Sequence, residues 1–90
     1  MIEAVVTELV NILTNQVLGT RPRAPITRDT ALLSSGLGLD SVAVLELVLA
    51  VENTFDVEVK DSDLSVELFR SVGSFADAIN RKLVNGKVAG

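Results

Sequence analysis

The dipeptide Asp40-Ser41 follows two glycines, in Gly36-Leu37-Gly38-Leu39, and precedes an apolar-rich run over residues 42–55. Side-chain oxygens of Asp and Ser accept hydrogen bonds from backbone N–H groups left unpaired at a helix start, so the pair predicts a helix N-terminus. Ser41 then stands at or just inside that terminus, next to a flexible loop. Such an end carries partial positive charge and spare N–H donors, and it suits a phosphate. A hydroxyl in that place can be a phosphate-ester attachment point, or it can be a plain helix cap. Both readings stand on these residues alone.

Other chemistry is poorly provided for. Gly36-x-Gly38 resembles half of a nucleotide-binding loop, but no strand pattern precedes it and no third glycine follows. Glu46 and Glu52 are acids on a helical segment, and exposed helix acids are far commoner than catalytic ones. With no histidine and no cysteine, the chain has no disulfide, none of the usual zinc ligand sets, no thiol or imidazole nucleophile and no histidine base. No catalytic residue and no metal site is expected. The formal charge of -4 and the lack of Trp and Tyr argue against nucleic acid, which favours a basic face and stacking platforms. The opening Met1-Ile2-Glu3 lacks the positive charge of a signal peptide. The longest apolar run, over residues 42–51, is interrupted by Glu46 and is too short to cross a bilayer. A small, acidic, soluble, cytoplasmic domain is expected, monomeric and without a membrane partner. Its 90 residues make one domain, which at this size buries only about 60–65% of its unfolded surface.

The elements that must position Ser41 follow from periodicity. Ile2, Val5, Val6, Leu9, Leu13 and Val17 share one helical face, with Ile12 beside them, which predicts a first helix from about residue 2 to about 18, stopping at Gly19. Two prolines and a glycine over residues 19–25 cannot continue it. The connection to Ser41 spans about 22 residues, a length a compact domain seldom leaves without purpose. Ala31-Leu32-Leu33 and Leu37 are expected to hold it on the core through one short helical turn.

The second helix, from about 41 to 54, carries two apolar stripes. Val44, Leu47, Val48, Val51 and Phe55 repeat at three- and four-residue spacing and predict the buried face. Val42, Leu45 and Leu49, flanked by Glu46 and Glu52, form the other. Either both stripes are core, or the second faces solvent as a docking surface; a domain this small can seldom surround a helix. Residues 56–59 read as an extended connector anchored by Val57 or Val59. The stretch from Asp61 to Phe69 is expected to hold a short helix, around 65–69, with Leu64, Leu68 and Phe69 inward. The last helix should start between Ser71 and Ser74, where Ser74-Phe75-Ala76-Asp77 resembles a capping box. Val72, Phe75, Ala76, Ile79 and Leu83 are its expected buried face, Arg81 and Lys82 suit its C-terminal end, and Asn85-Gly86 should stop it. The fold class is all-α: a small bundle of three longer helices and one short one. The helical core covers about 2–84 of a single domain over 1–90, and 85–90 form a tail.

Charge is unevenly spread. Six carboxylates and no Lys or Arg lie between Asp29 and Glu58, around the Ser41 helix, so basic partners would meet a steering field.

Leu37-Gly38-Leu39-Asp40-Ser41-Val42, then Leu45-Glu46-Leu47-Val48-Leu49-Ala50-Val51-Glu52 and Phe55-Asp56, resemble an acyl carrier protein. Val57-Glu58-Val59 continues the likeness, and Ser71-Val72 matches the threonine-valine start of that family's last helix. It covers roughly residues 2–84. The resemblance implies that Ser41 receives 4′-phosphopantetheine from coenzyme A through a phosphopantetheinyl transferase, with Asp40 its motif neighbour. It implies that the arm's thiol holds acyl or aminoacyl cargo as a thioester, and that the chain catalyses nothing itself. Val42, Leu45, Glu46, Leu49 and Glu52 match the positions through which the family meets its partners, here an acyl-loading enzyme and downstream synthase or transferase enzymes. Three departures stand out. Val42 replaces the usual leucine, Ala43 and Asn53 stand where fatty-acid-synthesis carriers often place acids, and the connector between Val59 and Val72 is about two residues longer. They tell against housekeeping fatty-acid synthesis, so polyketide, nonribosomal-peptide or related specialised biosynthesis is the expected setting, with fatty-acid synthesis as the alternative. The initiating methionine and the single-domain length lead to the expectation of a freestanding carrier. From a different class, a helical interaction module that carries no arm would use the same apolar face.

Overall fold

The computed structural model describes residues 2–19, 25–33 and 36–89. Three long helices carry the fold: α1 (Ile2–Ile12), α2 (Ser41–Phe55) and α3 (Val72–Ala89). Their order and their one continuous apolar core match the expected all-α bundle. The side chain of Ile2 and the loop residues 20–24, including Arg21, Pro22 and Arg23, lie outside what is described.

Helix α1 buries Val5, Leu9 and Ile12, the stripe that its spacing predicted. It then widens into one π-helical turn, Leu13–Val17, closed by the Leu18 N–H donating to the Leu13 carbonyl at 2.8 Å. This turn sets fully buried Leu13 into the core and packs against α2. Gly19, at φ 73°, follows it as expected of a helix-stopping glycine.

The long connection differs from expectation. Among its described residues there is no helical turn; two backbone segments, 31–33 and 36–39, pair with each other instead. Leu32 is buried and Leu33 and Leu37 are partly so, as expected, and Leu39 joins them in the core. A second tie runs to the last helix: the Val72 and Gly73 N–H groups donate to the Thr30 and Arg28 carbonyls at 2.9 and 2.7 Å. Two N–H groups that the start of α3 cannot satisfy internally are thereby bonded by the loop.

Helix α2 settles the question of its two stripes. Leu47 and Val51 have no exposed surface, with Val44, Val48 and Phe55 packed partly buried beside them. Val42, Leu45 and Leu49 are 66%, 58% and 55% exposed. The helix ends at Asp56, whose N–H makes the last helical bond to the Glu52 carbonyl and whose left-handed φ of 55° turns the following Val57 N–H onto that same carbonyl at 3.3 Å. Aspartate tolerates that conformation better than most residues.

Beyond α2 the expected short helix over 65–69 is absent. A single 3-10 turn at Asp61–Asp63 takes its place, and 66–69 form a turn. Leu68 and Phe69 point inward, and the Phe69 ring meets Phe75 at 5.6 Å between centroids. Leu64 does not: it is 45% exposed. Among the described residues there are three α-helices, one π-helical turn and one 3-10 turn, rather than a full four-helix bundle. Within 65–70 the N–H groups close only three-residue spans, Leu68 onto the Ser65 hydroxyl at 3.2 Å and Arg70 onto the Glu67 carbonyl at 3.3 Å, so the segment stays a turn. The preceding 3-10 turn is pinned to α3 by Asp63, one of whose carboxylate oxygens accepts both the Lys60 N–H at 2.8 Å and the Lys82 ammonium at 2.6 Å.

Those two donors, Lys82 first, hold the Asp63 carboxyl below its usual pKa. A carboxyl depressed in the folded state stabilises the fold above its unfolded value of about 4, and the contribution is lost as pH falls through the lower folded value. Asp63→Asn should therefore lower the melting temperature at near-neutral pH, and its deficit against the wild type should shrink below about pH 4. Thermal melts across that range would test this; a deficit that stays constant would mean the pairing contributes nothing.

Helix α3 starts at Val72, within the expected Ser71-to-Ser74 window, but Ser71 rather than Ser74 stands before it. The Ser71 hydroxyl accepts the Ser74 N–H at 3.1 Å, and Asp77 is turned instead to Arg28 at 3.3 Å. Val72, Phe75, Ala76 and Ile79 are buried and Leu83 partly so, as its periodicity required. The helix continues through Asn85-Gly86 to Ala89. A glycine costs a helix about 1 kcal/mol relative to alanine, which discourages but does not forbid continuation.

Candidate functional site

The start of α2 is built by the paired loop and by Asp40. Asp40, in extended conformation, is the N-cap, and its Oδ1 accepts the Ala43 N–H at 2.8 Å. A cap of this kind contributes about 1 kcal/mol. Ser41 is therefore not the cap: it is the first residue of the helix, and it is exposed. Among the described residues no hydrogen bond engages its hydroxyl. The open choice between cap and attachment point is thus narrowed, because the capping role already belongs to its neighbour. Gly38, at φ 66°, supplies the left-handed backbone step that turns the chain into this cap.

Around Ser41 the surface is apolar and acidic. Val42 adjoins it in sequence, Leu45 lies one helical turn on, and Leu49 follows one turn beyond that. Glu46 is exposed among them, and no α2 residue joins an ion pair among the described residues. The five residues expected to face partners are not equivalent, however. Glu52 is half-buried, and its Oε2 accepts the Val59 N–H at 2.9 Å. It holds the 57–60 connector against the end of α2, a role that its place in the acidic stripe did not disclose. Periodicity shows which face a side chain is on, but not that a backbone N–H seven residues later will fold back to it.

Three other features were not legible in the spacing: the Asp63–Lys82 tie, the burial of Leu39, and the close approach of the Ala31 backbone to Gly36. The only signal for the last was a glycine in a loop, and glycines in loops are ordinary.

Comparison with known proteins bears on what such a site does. Residues 7–79 match the family model described as a phosphopantetheine attachment site. The chain belongs to the acyl carrier protein family. An acyl carrier protein of Syntrophobacter fumaroxidans is 38% identical over 76 residues, 84% of this chain and 88% of that relative. One of Buchnera aphidicola subsp. Schizaphis graminum is 28% identical over 81 residues, 90% of this chain and 87% of that relative. The solution NMR structure of a holo acyl carrier protein from Nitrosomonas europaea superposes with a TM-score of 0.60 at 29% identity, covering 99% of this chain and 96% of that one.

The carrier's prosthetic group is 4′-phosphopantetheine, and the chain is a carrier rather than a catalyst. An interaction module that never bears an arm is thereby set aside. The residues present fit the group: an exposed, unengaged hydroxyl stands in the first turn of a helix, where a phosphate is favoured. No helix among the described residues is long and apolar enough to cross a membrane.

Proposed function

We propose that Ser41 is where this acyl carrier protein receives its arm, and that Val42, Leu45, Glu46 and Leu49 are the face it turns to partner enzymes. The observation that carries the first part is the division of labour at the start of α2, where Asp40 caps and Ser41 is left exposed. On attachment, the Ser41 Oγ–phosphorus bond forms and the bond from that phosphorus to the bridging pyrophosphate oxygen of coenzyme A breaks, releasing adenosine 3′,5′-bisphosphate. The hydroxyl proton leaves with a base of the phosphopantetheinyl transferase, and the phosphate remains beside the helix N-terminus. Once bound, the group supplies a thiol that this cysteine-free chain lacks, on which acyl or aminoacyl cargo rides as a thioester. Asp40 contributes by holding the first turn, so that Ser41 stays at the surface. Incubation with coenzyme A and a broad-specificity transferase, followed by intact-mass measurement, tests the assignment.

The setting that fits best is polyketide, nonribosomal-peptide or related specialised biosynthesis, in the cytoplasm, with one carrier domain spanning the chain. Its support is the less acidic face of α2, where Ala43 and exposed Asn53 stand at positions often acidic in fatty-acid-synthesis carriers, together with the longer connector ending in the 66–69 turn. The partners are then a loading enzyme and the synthase enzymes that follow it.

Such a face should bind through its apolar residues. Burying an exposed leucine contributes about 1.5–3 kcal/mol with little salt dependence, whereas an exposed ion pair contributes about 0.2–1 kcal/mol and is screened. Leu45→Ala or Leu49→Ala should therefore weaken the complex with the cognate loading enzyme by about tenfold or more, and Glu46→Gln by about fivefold or less. Titrations at two ionic strengths decide it. A complex that dissolves with salt and loses more from Glu46→Gln would make recognition electrostatic. Glu52→Gln is a poor probe of docking, because Glu52 also holds the Val59 N–H.

A further inference from the structure

We propose that Gly36 is a positioning residue for arm attachment: having no side chain, it lets segments 31–33 and 36–39 pair backbone to backbone, and that pairing sets where Ser41 meets the incoming phosphate. The inference rests on the reading of Ser41 as the attachment residue.

The pairing is dense for so short a loop. The Leu37 N–H donates to the Ala31 carbonyl at 2.9 Å and the Leu39 N–H to the Leu32 carbonyl at 3.0 Å. The Gly36 and Gly38 N–H groups both donate to the Leu33 carbonyl at 2.9 Å. On one side Leu32 is buried, and on the other Leu39 is, so the pair is anchored in the core through both segments. A Cβ on Gly36 would collide with the Ala31 carbonyl oxygen and would lie 2.7 Å from its carbonyl carbon and 2.9 Å from its Cα. Every one of those atoms is main chain, in a unit already bonded to Leu37, so none can swing aside as a side-chain tip could. Only glycine allows the approach.

The consequence reaches Ser41 because the same segment runs without a break into the left-handed step at Gly38, the buried Leu39 and the Asp40 cap. The hydroxyl thus approaches its reaction partner from a backbone that is held in place before the transferase arrives. Nucleophile placement is kinetically sharp: a displacement of about 1 Å can cost about 10²-fold. Opening the 31–39 pairing would leave α2 seated by Leu47 and Val51 and its exposed apolar residues untouched. It would loosen the approach to Ser41, together with the seats of Leu32 and Leu39 beneath it.

The test is steady-state attachment kinetics with a transferase and coenzyme A on Gly36→Ala, beside a core variant, Ile79→Val, adjusted by temperature to the same fraction folded. Gly36→Ala should lose about tenfold or more in kcat with KM changed by about twofold or less, since orientation is impaired while the docking face is intact. Ile79→Val should keep the wild-type kcat. Equal kcat for the two variants would overturn the proposal and leave Gly36 a purely structural residue. Should Gly36→Ala not fold, replacing the Leu37 amide by an ester through semisynthesis deletes its bond to Ala31 without adding volume. A drop in kcat at constant KM supports the proposal there too, and an unchanged kcat overturns it. If Ser41→Ala still takes the arm, the reading of Ser41 fails by itself, and that result is separate from any comparison of the two kcat values.

Discussion

Ser41→Ala is expected to take no arm at all and to fold as the wild type does. Loss of attachment should be complete because the reaction needs an oxygen nucleophile, and none of the other described serines stands at the first position of a long capped helix. Ser62 and Ser65 belong to the connector, while Ser71 and Ser74 are engaged with each other at the start of α3. Stability should change by about 0.5 kcal/mol or less, as is usual for exposed positions. The cap is on Asp40, whose bond to Ala43 survives the substitution, and alanine is itself the better helix former. Intact mass after incubation with transferase and coenzyme A checks the first half, and thermal melting the second. A variant that still gains the mass of one phosphopantetheine would end the assignment. One that fails to gain it because it has unfolded would show that the hydroxyl is structural.

The second large effect separates the two faces of α2. Leu47→Ala should cost about 2–5 kcal/mol, since Leu47 has no exposed surface and its loss leaves a cavity that the packed helices fill only in part. Domains of this size hold roughly 5–10 kcal/mol in total, so the variant should approach instability. Its melting temperature should fall by about 10 °C or more. Leu45→Ala, only two residues away but 58% exposed, should cost about 0.5 kcal/mol or less. Denaturant titration of both variants is the measurement. Equal losses would place Leu45 in the core and remove the apolar face from any account of partner binding.

Much of this molecule was legible without coordinates wherever function and fold depend on local chemistry. The stripes of α1, α2 and α3 follow from three- and four-residue spacing, because a buried helix face needs apolar side chains at that period whatever it packs against. The helix start at Asp40-Ser41 follows from the same kind of reasoning, since side-chain capping reaches only two or three residues. The resemblance that named the arm rests on such short-range motifs too.

Tertiary structure decided what depends on groups distant in sequence. That Asp40 caps and leaves Ser41 exposed required the backbone direction at the start of α2, which follows the segment 36–39 bonded to 31–33. That Glu52 serves the connector required Val59 to return beside it. That the 3-10 turn at Asp61–Asp63 is tied to α3 required Lys82, nineteen residues on, to supply Asp63 with a partner that no local rule includes. Gly36 is the sharpest case. A glycine's tolerance is visible in any sequence, but the main chain that makes it necessary, at Ala31, is brought there only by the burial of Leu32 and Leu39 in a core shared by all three helices.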